Sequence, residues 1–181
     1  MPLYDTRKIE YNITMQEIFT EAIVLDSEPS GDFDLRVHLF TKELGRVVAK
    51  VTSARKILSK LNPHLQPLNL VNVRLVNKNN FQIVDALRKK RLKPEFLPAL
   101  RLIKELTAEQ DPDFSLWSVM SFLIDKNRFH PALILNVLGY GLESANCAVC
   151  SSSPKYFDLS RLDFFCTSCA SNDLQKIICV V

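Results

Sequence analysis

Four cysteines carry the clearest chemistry in this chain. Cys147 and Cys150 have two residues between them, as do Cys166 and Cys169, and fifteen residues separate the inner two. Two thiolates presented by each of two tight turns can converge on one ion, and sulfur ligands at about 2.3 Å in a closed tetrahedron are characteristic of zinc. A shell filled by four thiolates leaves no open position for water or substrate, so the single zinc ion expected here is structural. Its binding free energy would help fold a segment that has little core of its own. Between the pairs, Tyr156 to Leu159 and Leu162 to Phe165 read as the two short strands of a zinc-ribbon-like hairpin. Lys155 and Arg161 are the cations there, with Asp158 and Asp163 beside them, so the module is expected to staple the fold rather than hold nucleic acid. The fifth cysteine, Cys179, stands third from the end, one place off a prenylation box, and reads as a spare thiol. Five cysteines, four of them in close pairs, suit a reducing compartment better than a disulfide framework.

The search for catalytic groups is negative. Four glycines in the whole chain leave no room for a Gly-rich phosphate loop. His38, His64 and His130 lie far apart without a paired nucleophile and orienting carboxylate. Asp32 and Asp34 resemble a divalent-ion pair, but carboxylates are common where a turn enters a strand. A protein that is not an enzyme is expected. No apolar run reaches the roughly 18 residues of a membrane-spanning helix, and the first residues lack a signal peptide's apolar stretch, so a cytoplasmic protein is expected.

A net charge of +3 conceals a marked asymmetry. Between Lys42 and Lys93 there are 13 basic side chains against Glu43 and Asp85, while residues 1–41 and 94–181 are both net acidic. A basic block between acidic flanks fits a polyanion, because each phosphate neutralised by Lys or Arg releases condensed counterions.

The elements that position these groups follow from periodicity. Residues 19–26 read as a strand closed by Pro29-Ser30-Gly31-Asp32. In the next strand Leu35, Val37 and Leu39 alternate with Asp34, Arg36, His38 and Phe40, and after a short turn Val47, Ala49 and Val51 alternate with Arg46, Val48 and Lys50. The two strands form an antiparallel hairpin that places Arg36, His38, Arg46 and Lys50 on one surface with Phe40. Single-strand binders use such faces, phosphates on cations and bases on rings; Phe40 is either that ring or a core aromatic. Ser53 to Leu61, carrying Arg55, Lys56 and Lys60, reads as a short helix stopped by Asn62-Pro63. Residues 68–76 and 81–88 form a hairpin across Asn77-Lys78-Asn79-Asn80, and the basic cluster Arg88, Lys89, Lys90 and Arg91 leads out of it. Three strands, a connector and two strands close most economically as a five-stranded barrel of the oligonucleotide-binding (OB) type. After Lys93-Pro94 three helices are expected: one through Phe96 to Leu106, a largely apolar one from Phe114 to Phe129, and one from Pro131 to the glycine stop at Gly139.

Gly31 to Arg46, the segment from Ala54-Arg55-Lys56 through Leu65-Gln66-Pro67, and Leu138 to Glu143 leading to Cys147 and Cys150 occur in an order that resembles the bacterial recombination mediator family RecO. The resemblance covers most of residues 19–170 and implies an α+β chain: an extension over 1–18, an OB-fold barrel over 19–92, a helical domain over 93–146, a zinc-binding module over 147–170 and a tail over 171–181. It implies binding of single- and double-stranded DNA, annealing of complementary strands, and work with RecR and single-stranded-DNA-binding protein so that RecA loads during repair, in the bacterial cytoplasm at the nucleoid. DNA contact is carried to Arg36, His38, Phe40, Arg46, Lys50, Arg55, Lys56, Lys60 and the 88–91 cluster. A pocket for the acidic tail of single-stranded-DNA-binding protein needs an apolar floor rimmed by cations; by sign and location Arg101, Lys104, Lys126 and Arg128 are candidates. The competing expectations are a zinc-ribbon OB-fold RNA-binding factor in translation or transcription, and a nuclease using Asp32 and Asp34.

Overall fold

The computed structural model of the protein describes residues 16–170 and 177–180. The expected extension therefore lies outside the described residues as far as position 15, and its last three residues belong to the first strand.

Five strands close a barrel in the order β1-β2-β3-β5-β4: β1 Gln16–Ser30, β2 Asp34–Thr41, β3 Gly45–Val51, β4 Asn69–Asn77 and β5 Phe81–Arg91. The long β1 makes closure possible. Its first half pairs with β4 and its second half with β2, and a register shift between Val24 and Asp26 bends it from one partner to the other. On the far side β3 and β5 meet in a short parallel pair, Ala49 opposite Phe81 and Lys50 opposite Gln82.

Alternation along the strands sorts side chains into two cores. Ala22 and Val24, with Leu35, Val37, Leu39, Val47, Ala49 and Val51, fill the barrel. Ile23 and Leu25 point the other way, into a second cluster shared with the helices. Phe40 belongs to that second cluster too, which decides its role: it is a core aromatic, fully buried, and is not available to stack on a base.

The helix expected over 53–61 does not form; residues 52–67 are turns and bends. Ser53 takes a left-handed φ of 56° that starts no helix, and Ala54 and Leu65 are drawn into the barrel core. A nine-residue helix has too few internal hydrogen bonds to stand without a packed face, and Ile57 and Leu58 here pack on nothing.

Beyond β5, a 3-10 turn Pro94–Phe96 leads to α1 Leu97–Leu106, α2 Phe114–Lys126 and α3 Pro131–Val137. The Asp113 carboxylate caps α2 by accepting from the Leu116 amide at 2.8 Å. The apolar pattern suggests that α2 continues to Phe129; it stops at Lys126 because Asn127 adopts the left-handed conformation, φ 52°. Phe129 still reaches the core, its ring 6.0 Å from that of Phe96.

The cysteine module contains the expected hairpin, β6 Tyr156–Asp158 against β7 Asp163–Phe165. A third strand, β8 Ile177–Cys179, pairs with the other edge of β6, so the expected tail is in part a sheet strand. Phe157 is fully buried, edge-on to Tyr140 at 4.9 Å and to Phe164 at 5.1 Å. Through Phe157, Phe164, Ile178 and Val180 the module shares one hydrophobic cluster with the helices and the outer face of β1 and β2. The segments 19–92, 93–146 and 147–170 are thus joined by a common core.

Candidate nucleic-acid surface and metal centre

The β2–β3 hairpin sets Arg36 opposite Lys50, His38 opposite Val48 and Phe40 opposite Arg46, the shared face the alternation predicts. That face is divided along its length. At one end the helices cover Phe40. At the other a groove of about 540 Å³ opens, lined by Arg36, His38 and Lys50 and walled by Asn77, Asn79 and Asn80 of the β4–β5 turn and by Glu109 and Gln110 of the loop that follows α1. The asparagines read from sequence only as a hairpin turn; the parallel β3–β5 pairing brings that turn to the groove.

Arg36 and Lys50 are more than half exposed in the groove. Each has a carboxylate neighbour: Glu28 lies 3.7 Å from Arg36, and Asp34 lies 2.8 Å from Lys50. His38 Nε2 is 3.2 Å from the same Glu28. The Lys50 ammonium, then the Ser53 amide, hold the Asp34 carboxyl below the usual carboxylate range. Asp34 is therefore spoken for by protein donors, which argues against its pairing with Asp32 around a divalent ion.

Arg46 faces the same way but serves another purpose. Its Nε donates to the Thr107 carbonyl at 3.0 Å and its Nη1 to Glu109 at 3.1 Å, leaving the side chain 16% exposed. It ties β3 to the loop between α1 and α2, and the expectation of a phosphate contact is corrected accordingly. Arg55 is fastened at the groove's end, donating to the Gly31 and Asp32 carbonyls at 3.1 and 3.2 Å. The Lys56 ammonium sits 5.7 Å from the centre of the Phe33 ring, and Lys60 is exposed on the same connector.

The cluster at 88–91 lies within β5 rather than beyond it, on a flank distinct from the groove. Lys89 pairs with Glu21, Lys90 donates to the Ile124 carbonyl at 2.6 Å, and Arg91 donates to Asn69 Oδ1 at 3.2 Å. Arg88 remains exposed there.

Of the four partner candidates, Arg101 and Lys104 share a second pocket, about 600 Å³, floored by Leu25, Pro67, Leu97, Leu100 and Leu159. Lys104 bridges to Asp26 at 2.6 Å. Lys126 and Arg128 stand at the far end of α2, with Lys126 over the Phe122 ring at 5.8 Å, and do not line this pocket.

The four cysteine sulfurs lie within 4.8 Å of one another, an arrangement that could hold a metal ion. Cys150 is 3.6 Å from Cys166 and 3.7 Å from Cys169. Four sulfurs about 2.3 Å from one centre at tetrahedral angles stand about 3.8 Å apart, so the thiols fit zinc-sized coordination. Amide hydrogen bonds from Ser151 to the Cys147 carbonyl and from Ala170 to the Cys166 carbonyl shape the two turns. The Ser152 hydroxyl, with the amide and thiol of Cys169 and the thiol of Cys150, brings the Cys166 thiol down to about 6. Cys166 and Cys150 in turn push Cys169 up to about 12. Crowded thiols that cannot all ionise together are relieved by a cation at their centre.

The architecture is that of an α+β protein built on a five-stranded, OB-like barrel, backed by helices and a four-thiol knuckle. Residues 15–90 match the family described as Recombination protein O N terminal. The chain is similar to the DNA repair protein RecO of Thermodesulfovibrio yellowstonii, 29% identical over 175 residues, which is 84% of this chain and 70% of the relative. It is 28% identical to the DNA repair protein RecO of Geobacter metallireducens over 75% of this chain and 64% of the relative. For that of Mannheimia succiniciproducens the figures are 28%, 69% and 63%. The chain is similar to these RecO DNA repair proteins and spans 63–70% of their length, and the stretch that matches the family's amino-terminal model is the one that forms the barrel. Among the described residues no helix is long and apolar enough to cross a membrane.

Proposed function

We propose that this protein is a non-catalytic DNA repair and recombination mediator that binds DNA in the β2–β3 groove and anneals complementary strands. The observation that carries the reading is the open end of the hairpin face, where Arg36 and Lys50 stand across from each other in the groove, with Arg55 and Lys56 following on the connector that leaves β3. Cations in such a groove track a phosphate backbone and lower the repulsion between two strands brought together, at the expense of a steep salt dependence. Arg88, exposed on the β5 flank, offers a further phosphate contact outside the groove.

One zinc ion held by Cys147, Cys150, Cys166 and Cys169 would close the knuckle as a structural cofactor, fixing the module that carries Phe157 and Phe164 into the common core. The family resemblance supports work with RecR and single-stranded-DNA-binding protein in loading RecA, in the cytoplasm at the nucleoid. The pocket that holds Arg101 and Lys104 has an apolar floor, but Asp26 and Glu105 on the same lining balance their charge, so it is a weaker fit for an acidic peptide tail than the sign of the two cations alone suggests.

The test is an annealing assay on strands coated with single-stranded-DNA-binding protein. The wild-type protein should accelerate annealing, and a variant with Arg36, Lys50, Arg55 and Lys56 replaced by alanine should not. Preference for RNA over DNA of equal length in competition would instead favour an RNA-binding factor, and cutting of DNA in magnesium or manganese would favour a nuclease.

A further inference from the structure

The connector between β3 and β4 presents two aliphatic side chains where a polar turn is expected. The Ser59 amide donates to the Lys56 carbonyl at 2.9 Å, which closes a four-residue turn with Ile57 and Leu58 at its two central positions. Those positions ordinarily carry Gly, Pro, Asn, Asp or Ser. Ile57 is 102% exposed and Leu58 92% exposed, so neither contributes to the core.

The turn is anchored on its amino-terminal side. Ala54, three residues before Ile57, is buried in the barrel, and the Arg55 amide and guanidinium bond to carbonyls of Gly31, Asp32 and Phe33. The Ser53 amide donates to Asp34, the partner of Lys50 in the groove. The apolar tip therefore follows directly on residues tied to the β1–β2 turn and to Asp34, the carboxylate partner of Lys50, and the neighbouring Lys56 ammonium lies over the half-exposed Phe33 ring. It is flanked by Arg55, Lys56 and Lys60, and no acidic residue occurs between Glu43 and Asp85.

We infer that Ile57 and Leu58 form a wedge that enters a base step of duplex DNA at its junction with the single strand lying in the groove. Charge complementarity commits the tip to a polyanion, and shape chooses among polyanions. Single bases stack on flat aromatic rings, whereas branched aliphatic pairs separate stacked base pairs and kink the duplex. The groove and the tip thereby divide one substrate between them, single strand on Arg36 and Lys50, duplex end on Ile57 and Leu58. This inference rests on the DNA-binding reading above and adds to it the junction as the preferred substrate.

The experiment uses the full chain and a junction carrying 2-aminopurine at the first paired step. Binding is followed by anisotropy, unstacking by 2-aminopurine fluorescence. The wild type should raise that fluorescence about twofold or more, as an inserted apolar wedge does by unstacking its step. Ile57→Ser with Leu58→Ser should abolish the rise while affinity changes by no more than about threefold, since the phosphate contacts remain. Ile57→Met with Leu58→Met should keep it. Both positions are fully exposed, so the variants fold. If the wild type binds without unstacking, or the serine variant still unstacks, the wedge is wrong and the groove reading stands. Absence of any binding by the wild type overturns both. Sedimentation with phosphatidylglycerol vesicles that depends on Ile57 and Leu58, without unstacking of DNA, would reassign the tip to an anionic lipid surface.

Discussion

The rings of Phe40 and Trp117 meet with centroids 5.6 Å apart and planes tilted by 47°, joining the outer face of the barrel to the first turn of α2. This contact splits one cationic strand face into a covered half and an open half. Residues that alternate identically along β2 thus have different fates: Arg36 reaches solvent and Phe40, four positions on, is fully buried.

Phe40→Ala should cost about 3–5 kcal/mol of stability, the usual price of emptying a buried aromatic site. Urea denaturation followed by Trp117 fluorescence measures it. Under conditions where the variant is folded, DNA affinity should be unchanged within about twofold, because the phosphate contacts proposed for the groove would be untouched. A large loss of affinity would return Phe40 to the binding surface.

Salt dependence separates the arginines and lysines proposed to touch phosphate from those that hold the fold. Lys50→Ala and Arg36→Ala should each lower the slope of log K against log salt by about 0.7 on single-stranded DNA, one phosphate contact apiece. Arg46→Ala should leave that slope unchanged and instead destabilise the protein by about 1–3 kcal/mol, because the Thr107 carbonyl and Glu109 lose their donor. Equal slopes for the Lys50 variant and the wild type would remove the groove from the DNA-binding surface.

What the sequence conveyed and what it withheld follow one physical division. Period-two alternation placed Arg36, His38, Arg46 and Lys50 on one face because that property is local to each strand, and the cysteine spacings located a four-thiol cluster that could hold a metal ion because each knuckle is a local turn. What covers a face is not local. The burial of Phe40 depends on Trp117, and the engagement of Arg46 depends on Thr107 and Glu109, far along the chain. The helix read into residues 53–61 failed for the same reason, since Ala54 and Leu65 gain more by entering the barrel than a short helix gains from its own bonds. Gly45 gives a case where the signal was present but its meaning was not. Its φ of 67° suits the hairpin turn, yet the stronger constraint is that a β-carbon there would lie 2.0 Å from the Asp111 carbonyl oxygen. Strand β8 was missed because three residues pairing across a long connection carry no periodicity to detect.

Metal content should be one zinc per chain, released when Cys150 and Cys166 are both replaced by serine. Because Phe157 and Phe164 sit in the same cluster as Trp117, loss of the ion should lower the thermal midpoint and alter Trp117 emission, not merely loosen the knuckle. The salt slope for DNA should stay as it is, since the groove is built on β2 and β3. A chain that melts identically with and without a strong chelator would show that the thiols do not hold a structural ion.

Acid should act on the seam between β1 and α1. Burial alone would raise the Asp26 carboxyl, but the Lys104 ammonium and the Ser27 amide outweigh it and hold the group below 3.8. A depressed folded value means that the unfolded chain takes up the proton more readily. The stabilisation is therefore complete above pH 3.8 and disappears as pH falls through the lower folded value. The pair is part-exposed, so Asp26→Asn should cost only about 0.5–1 kcal/mol near neutrality. The difference between wild type and variant in urea denaturation should be constant from about pH 5 to pH 8 and shrink below the ordinary carboxylate range. A difference that instead grew on acidification would mean that Asp26 is stabilised in its protonated form, and the Lys104 bridge would lose its assigned role.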